Sequence, residues 1–114
     1  MDLIEFRDFC LSLGEVTEKT PFGKFARRYE SILVFYVAGH MFCFVDMDNF
    51  SFADVRLTPD IIAELRDNYT AVSNPVNQST KYWIRLNFDG DIPNNVIFKL
   101  VREAYNIVKS KYTK

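Results

Sequence analysis

A chain of 114 residues, 48% hydrophobic and 16% aromatic, is one domain long and too apolar to remain disordered. Its 14 Lys plus Arg stand against 15 Asp plus Glu, a net charge of -1, so no global positive field draws it to nucleic acid or to an anionic membrane, and any polyanion site has to be local. The opening Met1-Asp2-Leu3-Ile4-Glu5 is acidic where a secretory leader is basic, and no apolar run nears the roughly 18 residues of a membrane span, so the expected location is cytoplasmic and no membrane is expected as partner.

Asp2 and Glu5 are spaced as a capping box, and Leu3, Ile4, Phe6, Phe9, Cys10, Leu11 and Leu13 recur at helical intervals up to Gly14. That spacing predicts a helix over about 3–13. Residues 15–31 hold Pro21, Gly23 and many charges without a period, and read as a long connection with room for an irregular strand or turn. Its tail, Lys24-Phe25-Ala26-Arg27-Arg28, is basic.

Ile32 to Val37 is apolar and β-branched or aromatic, Ala38-Gly39-His40 supplies a tight turn, and Met41 to Met47 is apolar again, which predicts a β-hairpin. A third strand near 51–57 puts Ala53, Val55 and Leu57 on one face, with Phe52, Asp54 and Arg56 on the other. Thr58-Pro59-Asp60 starts a short amphipathic helix reaching about Tyr69. After a polar stretch holding Pro75, Tyr82, Ile84 and Leu86 alternate with Trp83, Arg85 and Asn87 as in a half-buried strand. Asp89-Gly90 turns the chain, and Pro93 opens a last helix with a wide apolar arc from Ile97 to Val108.

The whole of 1–114 thus reads as a single α+β domain in the order helix, three strands, helix, one or two strands, helix. Helices are expected mainly on one face of an antiparallel sheet. Aromatic residues fall on both strand phases, at Phe42, Phe44, Phe50, Phe52 and Trp83, so the second face offers an aromatic patch or a homodimer interface.

Nucleic-acid binding needs cations that reach phosphates and a planar group on which a base stacks. The candidates are Lys24, Arg27 and Arg28 in the first connection, with Lys81 and Arg85 flanking Trp83, the single tryptophan. Lys99, Arg102 and Lys109 form a further polar stripe. The plainer reading makes these cations solvated faces and Trp83 a core or interface residue.

No catalytic set emerges. His40, the single histidine, sits in the hairpin turn, whereas Cys43 lies in the following apolar strand, an arrangement that suits a solvated imidazole and a structural thiol. Cys10 and Cys43 lack CxxC spacing and are expected as buried free thiols. Asp46, Asp48 and Asn49 resemble the start of a calcium loop, but the frame closes on Leu57 instead of glutamate, so neither a metal nor another cofactor is expected. Asp89 and Asp91 belong to a turn and a helix start, where acids accept backbone N–H groups. Two glycosylation-type triplets, Asn68-Tyr69-Thr70 and Asn77-Gln78-Ser79, mean little without export.

Five segments in this order resemble the YjbR/MmcQ family: Pro21-Phe22-Gly23, Val34 to Phe42, Lys81-Tyr82-Trp83, Asp89-Gly90-Asp91-Ile92-Pro93, and Ala104-Tyr105-Asn106-Ile107-Val108. The resemblance spans nearly the whole chain. It implies a compact α-β(3)-α-β(2)-α domain, related in architecture to secretion-chaperone-like folds, and a binding role usually labelled DNA-binding, with mitomycin resistance attached to one namesake. The family pattern is more basic just before its tryptophan, whereas here only Lys81 remains and Tyr82 stands beside Trp83. The expected function is a non-enzymatic binding domain with DNA as partner through Lys24, Arg27, Arg28, Lys81, Trp83 and Arg85. A protein-interaction or secretion-chaperone-like module, dimeric or capturing an apolar segment, and small-molecule sequestration between aromatic walls are the alternatives.

Overall fold

The computed structural model describes residues 1–76 and 78–113. Asn77, the acceptor of the second glycosylation-type triplet, lies outside the described residues. Helix α1 spans Leu3–Ser12, and extended Asp2 caps it by accepting the Glu5 N–H on Oδ1 at 2.8 Å. Gly14 follows with φ +137°, and a Cβ there would stand 2.8 Å from Tyr105 Oη, so the residue meets both a conformational and a spatial demand.

Six antiparallel strands form one sheet: β1 Val16–Lys19, β2 Ile32–Val37, β3 His40–Asp46, β4 Phe52–Arg56, β5 Val72–Ser73 and β6 Trp83–Asn87. Their order is β1-β2-β3-β4-β6-β5. Helix α2 is Pro59–Asn68 and α3 is Asn94–Tyr112. The fold is α+β, and the order differs from the sequence-based expectation only in the first connection. There Val16–Lys19 pairs with β2 as an edge strand, and Pro21–Lys24 and Arg27–Tyr29 each close a single 3-10 turn, so four strands precede α2. Apolar alternation does not reveal β1 because Glu18 shares the face of Phe35; the Arg7 Nε of α1 holds that carboxylate at 2.9 and 2.8 Å.

The β2–β3 hairpin turns on Ala38 (φ 52°) and Gly39 (φ 77°), both left-handed, with Val37 paired to His40. A bulge follows. Phe35 pairs with Cys43 but Tyr36 with Met41, which leaves Phe42 as the extra residue, and Phe42 and Cys43 both point into the helix-side core. Aromatic residues therefore occupy both phases of β3: the bulge turns Phe42 inward while Phe44 faces out.

On the helix side, Leu33, Phe35, Val37, Val45, Val55, Ile84 and Leu86 pack beneath Phe6 and Cys10 of α1, Ile62 and Leu65 of α2, and Ile97, Val101, Ala104 and Val108 of α3. Cys10 and Cys43 are free thiols inside this core, and burial together with the neighbouring Cys10 pushes the Cys43 thiol well up from its ordinary range. The other face carries a smaller cluster, Val34, Phe44 and Trp83, flanked by Phe22, Ile32, Tyr36 and Met41.

The run Asp89-Gly90-Asp91-Ile92-Pro93 fastens the start of α3 to the connection between α2 and β5. Asp91 accepts the N–H groups of Thr70 and Ala71 at 2.8 Å each, and Gly90 lies so close to Ala71 that a Cβ at Gly90 would overlap the Ala71 side chain. Ile92 is buried, and Pro93 stands at the N-cap of α3.

Candidate functional site

The outer sheet face is built in cross-strand rows. Strand register aligns Val34, Phe44, Asp54 and Arg85 across β2, β3, β4 and β6, and a neighbouring row carries Ile32 beside Asp46 and Phe52 beside Asn87. Above these rows lies an open groove of about 540 Å³. Ile32, Phe44, Asp46, Phe52 and Arg85 contribute from the sheet. The 3-10 turns supply Phe22, Arg28 and Tyr29, Phe25 comes from the end of the first turn, and the loop before β6 supplies Val76 and Gln78.

Each element has a local reason to be there. Pro21 at the start of its 3-10 turn fixes the chain direction after β1, and Phe22 then packs edge-on against Phe44 with ring centroids 6.3 Å apart. Gly23 permits the return of the chain, since a Cβ there would sit 3.0 Å from the Glu30 Cβ. Phe25 and Val76 remain 73% and 59% exposed, an apolar residue from each of the two segments bordering the groove.

At the centre of the face is an ion pair. Asp54 is fully buried, and Arg85 donates to it from Nε at 2.8 Å and from Nη2 at 3.0 Å. The guanidinium carbon also stands 3.7 Å from the Phe52 ring centroid. Burial pushes the Asp54 carboxyl up from its ordinary value, and the hydrogen bonds and charge of Arg85 pull it only part of the way back. Asp46, on the groove border, uses Oδ1 to accept the Ser31 hydroxyl at 2.8 Å and the Asp48 and Asn49 N–H groups at 2.9 and 3.4 Å. The calcium-loop-like start at Asp46 is thus a turn brace for the β3–β4 connection.

The six residues singled out from sequence separate in space. Arg28 and Arg85 both border the groove. Lys24 and Arg27 are exposed on the same pair of 3-10 turns as Arg28. Lys81 is exposed over the Tyr82 ring, two residues before β6. Trp83 is only 5% exposed and lies against Phe44, with ring centroids 5.5 Å apart, so its faces are not open to a base. His40 is exposed and stacks on Tyr112 at 3.4 Å between ring centroids, whereas Cys43 is buried in the core. Among the described residues, no three His, Cys, Asp or Glu side chains group as a metal site. No described helix is long and apolar enough to cross a membrane.

The sequence reading passed over Asp54, Phe22, Phe25 and Val76 as site residues. A signal existed for Asp54: it is an acid in mid-strand between Ala53 and Val55, on the face it shares with Phe52. Phe22, Phe25 and Val76 lie in aperiodic connections, where sequence gives no facing direction.

A family model for YjbR matches residues 11–107, a span that contains both walls of the groove, its floor and the Asp54–Arg85 pair. The chain belongs to the YjbR family. Its fold is shared with a Deinococcus radiodurans protein that carries the DUF419 domain, at a TM-score of 0.86 and 22% identity over 99% of this chain and 82% of that one. A crystal structure of a Pseudomonas syringae protein superposes at 0.74 and 15% identity, covering 95% of this chain and 99% of the other. A solution NMR structure from the same organism superposes at 0.70 and 15% identity, covering 95% and 93%. A search of curated proteins finds no match. At these identities the likeness to solved structures describes the YjbR fold, and the site has to be understood from the side chains of this chain.

Proposed function

We propose that this YjbR chain is a non-enzymatic binding domain, that its site is the outer-face groove, and that the occupant is a small molecule with a flat, mostly apolar body. The observation that carries this reading is a groove of about 540 Å³ walled by Phe22, Phe25, Phe44 and Phe52 around a central ion pair. A volume of that order suits a ligand of a few rings, and an apolar lining with a few placed polar groups is the usual make-up of such sites. The non-enzymatic part rests on where the reactive groups are: the imidazole stacks on Tyr112 at one surface while both thiols lie in the core.

The test uses naphthylmethanol, a neutral flat probe, followed by amide NMR shifts and by the fluorescence of Trp83, which touches the groove through Phe44. Saturable shifts confined to Ile32, Phe44, Phe52, Arg85 and the two bordering segments are expected. Shifts on the helix side, or none at millimolar probe, remove the reading.

A second reading, nucleic-acid binding, is favoured by the grouping of Lys24, Arg27 and Arg28 on adjacent 3-10 turns beside the groove. Under it, Arg27→Ala with Arg28→Ala weakens DNA binding across all sequences, and affinity falls steeply with added salt. Salt-insensitive or absent binding removes it.

A further inference from the structure

We propose that the ligand of the groove is a flat aromatic carboxylate, and that the free edge of the Arg85 guanidinium receives its carboxylate. This rests on the groove reading above and adds the chemistry of the head group.

A guanidinium offers two bidentate edges, one from Nε with an Nη, the other from both Nη atoms. Asp54 occupies the first, taking Nε at 2.8 Å and Nη2 at 3.0 Å. Nη1 and the second proton of Nη2 have no hydrogen-bond partner among the described residues, and the side chain, 20% exposed, borders the groove. One fork is therefore satisfied within the fold and the other is presented to whatever enters.

The donor is also held in place before any ligand arrives. Asp54 fixes it from below and Phe52 lies under its plane, so little side-chain freedom remains to be lost on binding. The pair is weak evidence for stability alone, since hydrophobic replacement of such a pair is often neutral or favourable, and burial opposes the charge on Asp54. A preorganised guanidinium with an unused edge is a carboxylate receptor by its geometry.

The other two charges on the groove, Asp46 and Arg28, balance each other, so the preference for an anionic head rests on the unused Arg85 edge. Asp46 has its Oδ1 occupied by Ser31, Asp48 and Asn49, whereas Arg28 adds a second cation on the wall, engaged through Nη2 with Tyr29 Oη at 3.1 Å. The flat body then lies between Phe22 and Phe25 on one side and Val76 on the other.

The experiment compares naphthoate with naphthylmethanol, two probes of nearly equal shape, by NMR titration of the full chain at neutral pH and low salt. Naphthoate should bind about tenfold more tightly or better, as a charge-assisted bidentate contact provides, and should move the Arg85 Nε–H resonance. In the Asp54→Leu/Arg85→Met double variant, which removes the pair without orphaning a charge, the ratio of naphthoate to naphthylmethanol affinity should fall to about one. Arg85→Lys, which keeps a charge opposite Asp54 but lacks the second edge, should lose most of the naphthoate advantage too and serves if the double variant does not fold. Equal affinities for the two probes in the unmutated protein, or an advantage that survives both variants, overturn the carboxylate assignment and leave the groove standing. Failure of both probes to bind overturns the groove reading itself.

Discussion

The two faces of the sheet are built from the same strands and do different work. Toward the helices, Phe6, Phe35, Phe42, Leu57, Ile84, Leu86 and Ile97 are all fully buried, in one continuous cluster. On the outer face three buried residues form a separate cluster, two short 3-10 turns give partial cover, and a buried ion pair and an open groove occupy the rest. Hydrophobic stabilisation scales with apolar area removed from water, so the helix side supplies most of what holds the domain together. The outer face leaves apolar walls uncovered and retains a polar pair at its centre, the make-up that the proposed binding reading calls for.

The contrast breaks if equal truncations on the two faces cost the same. Phe35→Ala, on the helix side, is expected to destabilise by about 3 to 5 kcal/mol, and Phe22→Ala, on the half-covered outer side, by about 1 to 2 kcal/mol. Urea denaturation of both variants reads the difference directly. Near-equal losses would mean that the 3-10 turns are part of the main core.

Next in size is the ion pair. Arg85→Met leaves Asp54 buried without its partner and should cost about 2 to 3 kcal/mol at neutral pH, somewhat under the range for a fully buried pair because Arg85 is 20% exposed. Asp54→Leu with Arg85→Met should recover most of that loss. The pH dependence has a definite sign. Losing Arg85 raises the Asp54 carboxyl further, so the folded variant holds its proton to higher pH than the folded parent does. The charge-dependent part of the cost is then absent in acid, grows as pH rises through the window between the two folded values, and is full above it. A penalty independent of pH would mean that Asp54 is not the group left behind.

The fastener at Asp91 ranks lower. Two backbone N–H groups, Thr70 first, hold its carboxyl below the ordinary 3.8. Its contribution is therefore full above the ordinary carboxylate value and is lost as pH falls through the lowered folded value. Asp91→Asn should lower the melting temperature at neutral pH and leave a smaller further drop on acidification than in the parent. Parallel acid profiles would assign the acid sensitivity to another carboxylate.

Much of this contrast was legible before any coordinates. Strict alternation separated Ala53 and Val55 from Phe52 and Asp54 within β4, and Ile84 and Leu86 from Trp83 and Arg85 within β6, because the side-chain period of a strand is two, and register then put the two sets on matching faces. Capping chemistry placed α1 at Asp2, and Pro59 and Pro93 placed the starts of α2 and α3, since those signals are local. Two kinds of feature were not legible. The partner of Arg85 sits 31 residues away on a neighbouring strand, a relation set by register and invisible to spacing. The groove walls come from 3-10 turns and a loop whose directions depend on packing against the finished sheet. The basic tail at 24–28 likewise says nothing by itself about which of its cations reaches the groove; Arg28 does.

The smallest stability effect sharpens the comparison most. Phe25 and Val76 are largely exposed, so replacing either with serine removes little buried area and should change stability by no more than about 0.5 kcal/mol. Burial in a complex would change that, because a ligand lying between them takes their apolar surface out of water along with its own. Phe25→Ser is therefore expected to weaken naphthylmethanol binding by about three- to tenfold, the range for burying one such surface, at nearly unchanged urea midpoint. Phe9→Ser, in contact with Phe98 on the helix side, should do the opposite, lowering the midpoint and leaving probe affinity alone. If the two substitutions instead shift midpoint and affinity together, stability and recognition are not divided between the faces, and the sheet works as one coupled body.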